Sequence, residues 1–168
     1  IAYVGSLEKA RGSDFLNGLI SVDKDDKVMV HMIGWVYDSD SELLKNQDQV
    51  SFYGVLEQSK ALSIIGQCDY LLSLYEPKSL NNINASPNKI FDGILQEVPV
   101  IINSEVKVSS LVSKLGIGYL LKNYFSKEYE LILADLIKLK GTYFKNKVDK
   151  FDYCWESVEN NLIKVHFN

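Results

Sequence analysis

The chain has 168 residues, 46% hydrophobic and 24% charged, enough for one domain with a sizeable core and without the bias of a disordered or fibrous protein. Its net charge of -4 offers no broad basic surface, which speaks against a nucleic-acid partner. Cys68 and Cys154 form neither a CxxC pair nor a disulfide framework, and no leader or apolar run of roughly 18 residues stands out, so a soluble protein of the reducing cytoplasm is expected.

The sequence opens at Ile1, without a methionine and already inside an apolar run, as expected of a segment cut from a longer polypeptide. Strands are predicted over Ala2 to Val4, Lys27 to Ile33, Val50 to Tyr53, Tyr70 to Leu74 and Val100 to Ile102, with a weaker one at Gly118 to Leu121. Between them, Phe15, Leu16, Leu19 and Ile20 recur at helical spacing, as do Ile90, Phe91, Ile94 and Leu95, and then Val108, Leu111, Val112 and Leu115. From Ser126 the strands stop. Tyr129 to Leu139, Tyr143 to Val148 and Trp155 to Val165 read as helices separated by Gly141 and the Lys147 to Lys150 charge cluster. This alternation predicts an α/β fold: a Rossmann-like parallel sheet of five to six strands flanked by helices over residues 1–121, then a helical C-terminal tail over 126–168. The polar Ser79 to Asn88 loop is the expected place for chemistry, because ligands of open parallel sheets bind beyond the carboxyl ends of the strands.

Ser86-Pro87-Asn88-Lys89-Ile90-Phe91-Asp92 is the most informative stretch. Serine before proline predicts a helix start, with Ser86 as N-cap and Pro87 at the first helical position. The unpaired N–H groups and positive dipole of that end suit a diphosphate, and Lys89 adds a formal charge. Asn88, Asp92 and Gln96 share a face opposite Ile90, Phe91, Ile94 and Leu95. Asp92 therefore points away from the core, one turn deeper, where a ribose would lie and where a carboxylate can accept from vicinal hydroxyls. The alternative is an exposed i, i+3 ion pair of Lys89 with Asp92.

A second segment, Gly5-Ser6-Leu7 leading to Arg11-Gly12, is a strand entering a glycine-bounded turn before a helix near Ser13; glycines admit a phosphate to the backbone, and Arg11 can grip it bidentately. A simple strand-to-helix turn is the alternative. A third reading places a base against the backbone after Tyr53 and Gly54, with Tyr53 or Tyr75 stacking on it, unless these tyrosines are rim packing. His31 and His166 lack further ligands at metal spacing, and no Ser-His-Asp or Cys-His set assembles, so neither a metal nor a cofactor is expected.

Taken in order, Gly5-Ser6-Leu7 to Arg11-Gly12, Ile33-Gly34, Val50 to Gly54, Pro87-Asn88-Lys89-Ile90-Phe91-Asp92, Pro99-Val100-Ile101 and Leu115 to Gly118 resemble the C-terminal donor domain of retaining GT-B glycosyltransferases of the group 1, family 4 type. The resemblance covers residues 1–121, and Tyr153-Cys154-Trp155-Glu156 resembles the start of the closing helix. It implies that Asp92 holds the donor ribose, that Arg11 and Lys89 meet the diphosphate as the catalytic cations, and that Ser86 to Lys89 lie beneath the phosphates. The sequence departs from the family pattern where Asp92 replaces glutamate, Asn84 replaces the earlier glutamate of the spaced pair, Ser6 stands where arginine is frequent, and Glu97 replaces the glycine that ends the helix in a left-handed conformation.

The implied activity is that of a hexosyltransferase: metal-free glycosyl transfer from a nucleotide-sugar donor to a saccharide or lipid-linked acceptor, in polysaccharide or glycoconjugate synthesis. The acceptor and any base would come from a missing N-terminal acceptor-binding domain, so this fragment is expected to bind without turning over. The resemblance leaves room for peripheral membrane association of the full-length enzyme. Two alternatives stay open: a nucleotide-sugar epimerase of the same architecture, and a non-catalytic sugar-nucleotide-binding module, which the loss of charge at Asn84 and Ser6 would suit.

Overall fold

Strand side chains alternate between two faces. In strand β5 (Val100–Asn103) Val100 and Ile102 therefore enter one apolar layer and Ile101 the other. The computed structural model describes residues 1–144 together with 148, 149 and 153. Within them β1 (Ala2–Leu7), β2 (Val30–Val36), β3 (Val50–Phe52), β4 (Leu71–Leu72), β5 and β6 (Gly118–Leu121) form one parallel six-stranded sheet in the order β3-β2-β1-β4-β5-β6. One face packs on α1 (Ser13–Val22) and α7 (Tyr129–Leu139), through Phe15, Leu16, Leu19, Ile132 and Leu136. The other packs on α3 (Gln58–Ile65), α5 (Asn88–Gln96) and α6 (Ser109–Leu115), through Ile65, Ile90, Ile94 and Val112. Layers on both faces explain why the central strands read as near-continuous apolar runs.

The chain leaves β1 toward β2 on one side and returns to β4 on the other, so the strand order reverses between β1 and β4. Beyond the carboxyl ends of these two strands a crevice opens in which α/β folds bind ligands. The Rossmann-like fold predicted from the sequence is the one observed. Several boundaries differ: β1 runs on to Leu7, β2 to Val36, and β4 shrinks to two paired residues, although Tyr70 and Leu74 remain buried.

Helices α2 (Ser39–Lys45), α3 and α4 (Leu80–Ile83) were not foreseen: α4 buries none of its residues, and the short apolar runs at Leu43–Leu44 and Ala61–Ile65 do not separate helix from strand by period. Of the expected Tyr143 to Val148 helix, Tyr143 and Phe144 are not helical: Phe144 has φ +56° and donates its N–H to Gly116 O, while the Tyr143 ring meets Tyr70 edge-on. The expected Trp155 to Val165 helix lies outside the described residues.

Helix α5 also starts one residue later than the sequence suggests. Pro87 has ψ 135°, an extended conformation, so Pro87 rather than Ser86 is the N-cap and no side chain caps the helix. At its other end Glu97 is left-handed, with φ +56°, and Val98 N–H closes the turn on Gly93 O at 2.9 Å. A left-handed residue with a Cβ is strained by roughly 1–2 kcal/mol where glycine is not. We therefore expect Glu97→Gly to stabilise the domain by about 0.5–1 kcal/mol in urea unfolding and Glu97→Ala, which keeps the strain, to give no such gain. Equal midpoints for the two variants would contradict this.

Candidate functional site at the strand switch point

The chain leaves β1 through a 3-10 turn at Lys9–Arg11, bounded by Gly12 at φ +105°. Two bonds tie this turn to the rest of the crevice, and a third braces the segment it meets. Glu76 N–H donates to Ala10 O at 3.0 Å, Tyr124 O–H donates to Lys9 O, and Asn82 Nδ2 donates to Glu76 O at 2.7 Å. Tyr75, just past β4, is held by the fully buried Asn103 at the end of β5. Its N–H donates to Asn103 Oδ1 at 3.0 Å and its carbonyl accepts from Asn103 Nδ2 at 3.0 Å. Asn103 Nδ2 also donates to Glu105 Oε2 at 2.9 Å, while Glu105 Oε1 accepts the Tyr124 N–H at 2.9 Å.

On this frame stands Arg11, the only arginine of the sequence. Its guanidinium carbon lies 3.9 Å from the Tyr75 ring centroid, Nε is 3.6 Å from Glu8 Oε1, and Nη1 is buried with no hydrogen-bond acceptor among the described residues. Lys89, in the first turn of α5, reaches the same place: Nζ is 5.8 Å from the Tyr75 centroid, and a methyl group at Gly5 would lie 3.9 Å from it. Burial and then the Arg11 charge pull the Lys89 amine down to about 8, with Asp92 pulling the other way. Burial raises the Asp92 carboxyl above its ordinary value, opposed by Lys89. Lys89 and Asp92 nonetheless do not close into an ion pair within 4 Å, so the surface-pair alternative is not what the structure holds. Two cations therefore converge with little local compensation.

Asp92 lines a cleft of about 200 Å³ between the ends of β1 and β2 and helix α3, together with Gly5, Gly34, Val55, Leu56, Gln58 and Ala61. Its floor is backbone: Gly5 and Gly34 pair across the two strands, and a Cβ on Gly34 would sit 1.9 Å from Gly5 O. The loop after β3 is pinned to its edge by Gly34 N–H donating to Gly54 O at 2.8 Å.

The structure thus brings Gly5, Arg11, Lys89 and Asp92 together, with Gly54, Pro87 and Asn88 at the margins; Pro87 is buried beneath the helix start and Asn88 is exposed as the first helical residue. The helix face differs from expectation: Leu95 is exposed and Phe91 half-buried, while Gly93 takes the inner position, where a Cβ would meet Val98 O at 2.8 Å. Other predicted residues stand apart. The Tyr53 ring stacks on His31 and its hydroxyl lies 2.9 Å from His31 Nδ1, so it is not among the cleft's lining. Asn84 caps the end of α4 and donates its amide to Leu80 O at 2.7 Å, Ser6 pairs with Trp35 inside the sheet, and Ser86 is exposed before the helix. Missed by the sequence reading were the cleft wall of α3 and the structural role of Asn103. The polar residue closing an otherwise apolar strand was the available signal for Asn103.

No described helix is long and apolar enough to cross a membrane, and no group of three or more His, Cys, Asp or Glu among the described residues is placed to hold a metal ion.

No protein-family model matches the sequence, and no curated protein matches it. Solved structures do share the fold. WaaG, a glycosyltransferase of lipopolysaccharide biosynthesis, matches with TM-score 0.65 at 12% identity over 99% of this chain and 47% of its own. A UDP-GlcNAc 2-epimerase of Methanocaldococcus jannaschii, solved with UDP-GlcNAc and UDP, matches with TM-score 0.63 at 10% identity over 99% of this chain and 45% of its own. The C-terminal domain of a group 1 glycosyltransferase, LpcC of Francisella tularensis, gives TM-score 0.55 at 14% identity over 99% of this chain and 85% of that domain. The chain spans less than half the length of the first two and has the fold of a GT-B C-terminal domain.

Lys89 makes a testable demand on stability. Its folded pKa of about 8 lies below the roughly 10.4 of an unfolded lysine, so charging it in the folded state costs stability below pH 8, a cost relieved as pH rises toward 10. We expect Lys89→Met to be more stable than wild type at pH 7 in urea unfolding, with the gap closing by pH 10. A gap that stays constant with pH would exclude this electrostatic origin.

Proposed function

We propose that this chain is the donor-nucleotide domain of a GT-B glycosyltransferase of hexosyltransferase type, binding a nucleoside-diphosphate sugar without a metal. The observation that carries the reading is the convergence of Arg11 and Lys89, with little local compensation, at the strand switch point beside the uncapped N-terminus of α5. Such a site is built for a dense anion. The adjoining cleft offers Asp92 to a ribose and the apolar Val55, Leu56 and Ala61 to a base. As a glycosyl group departs, charge accumulates on the nucleoside diphosphate, and Arg11, Lys89 and the helix end meet it in place, a form of preorganised electrostatic stabilisation.

The acceptor, a saccharide or a lipid-linked one, would be held by an N-terminal domain in cis. The match to nearly the full length of the LpcC domain, against under half of WaaG, supports that division. We place the full enzyme in cytoplasmic polysaccharide or glycoconjugate synthesis, with room for peripheral membrane association, and expect residues 1–168 to bind as a single domain without turnover.

A second reading, a nucleotide-sugar epimerase, is favoured by the likeness to the Methanocaldococcus jannaschii enzyme. Among the described residues Asp92 is the only acid lining the cleft, whereas chemistry on the donor sugar itself calls for a positioned set of acids and bases. The transferase reading is therefore preferred.

Calorimetry with UDP and related nucleoside diphosphates, in the presence of a chelator, tests the site. Arg11→Ala should weaken diphosphate binding by about 1.5–3 kcal/mol and bare nucleoside binding hardly at all, since a charge-assisted bond acts only on the phosphates. Equal losses would remove Arg11 from the site. For Asp92, deleting a ribose hydroxyl from the ligand should cost wild type roughly 1–3 kcal/mol, and Asp92→Ala should bind ribose and deoxyribose ligands almost equally. Discrimination that survives the mutation would refute the ribose assignment.

A further inference from the structure

Tyr75 was expected either to stack on a base or to pack at the rim. Its ring is instead covered by Arg11, with the guanidinium carbon 3.9 Å from the centroid, and Tyr75 is absent from the lining of the cleft beside Asp92. A long, flexible arginine side chain can be fixed in two ways. A carboxylate at bonding distance would fix it by occupying the N–H fork that a phosphate needs. An aromatic face fixes the plane and leaves every edge N–H available. The structure relies mainly on the second course: Glu8 makes only a long ion pair with Nε, at 3.6 Å, and the buried Nη1 has no hydrogen-bond acceptor among the described residues.

The Tyr75 main chain is held by two bonds to the buried Asn103, so the point from which the ring projects does not depend on what the ring carries. Its face also lies 5.8 Å from Lys89 Nζ, so one quadrupole attracts both cations and offsets part of their repulsion. We propose that Tyr75 is a positioning residue of the diphosphate site, whose ring face holds the Arg11 guanidinium and leaves Nη1 for the phosphates. This rests on the nucleotide reading for the ligand, though not for the geometry.

The test can separate the two. Because Arg11 is the only arginine of the sequence, its side-chain resonances in an NMR spectrum are unambiguous. They should be shifted upfield by the ring in wild type and in Tyr75→Phe, and return to the free-arginine position in Tyr75→Leu. The main-chain clamp survives all three. With UDP and excess chelator, Tyr75→Leu should bind about tenfold more weakly, Tyr75→Phe within about twofold of wild type, and bare uridine should be indifferent to both changes. Unshifted Arg11 signals in wild type, full UDP affinity in Tyr75→Leu, or a loss in Tyr75→Phe equal to that in Tyr75→Leu would each overturn the proposal. Ring-shifted Arg11 signals in a wild type that binds no nucleoside diphosphate would uphold the positioning and overturn the nucleotide reading instead.

Discussion

Arg11 and Lys89 carry like charge, and nothing in their mutual interaction would draw them to the same aromatic ring. Main-chain bonds do it. The turn after β1 is buckled to the segment after β4 through Ala10 O and Glu76 N–H, and that segment is clamped to the end of β5 through Asn103. These bonds lie at the one place in the sheet where successive strands depart in opposite directions, so the crevice and the charges within it share a single origin. The depressed Lys89 amine registers the work of this arrangement. Stability is spent at the crevice and recovered in the two apolar layers beneath it.

The fold was legible in the sequence because its strands are buried on both faces and its longer helices are amphipathic, two patterns that survive without knowledge of partners. Tyr129 to Leu139 matches α7 residue for residue, and Val108, Leu111, Val112 and Leu115 fall within or beside α6. What escaped was short. Helix α3 supplies the cleft wall with Gln58, Ala61, Leu62 and Ile65, and its apolar residues crowd into the short run Ala61–Ile65, whose period does not distinguish helix from strand.

The site was legible in part for a different reason. Arg11, Lys89 and Asp92 lie near turn and helix-start signals that have a local physical meaning, and the structure gathers all three. Tyr53, Asn84 and Ser6 stand near strand ends or in register with a resembling pattern. Neither circumstance says which way a side chain leans, and His31, the end of α4 and the sheet claim them instead. Tyr75 illustrates the limit from the other side: its importance comes from a ring that only long-range folding brings under Arg11, 64 positions earlier in the chain. The left-handed Glu97 shows the reverse, since the conformation expected at that position is adopted even though the residue best suited to it is absent.

The paired glycines at the floor of the cleft restrict how such a domain can change over evolutionary time. With Gly5 O lying 1.9 Å from where any Cβ on Gly34 would stand, and Gly5 itself at φ +99°, a conformation that strains any side chain, the floor resists acquiring one and contributes little to telling one ligand from another. Selectivity has to be written on the walls, in Val55, Leu56, Gln58 and Asp92, which belong to a loop and two helices rather than to the sheet. A lineage could therefore exchange its preferred ligand by altering a handful of peripheral positions while the central strands stay untouched, which lets sequences diverge widely around an unchanging frame.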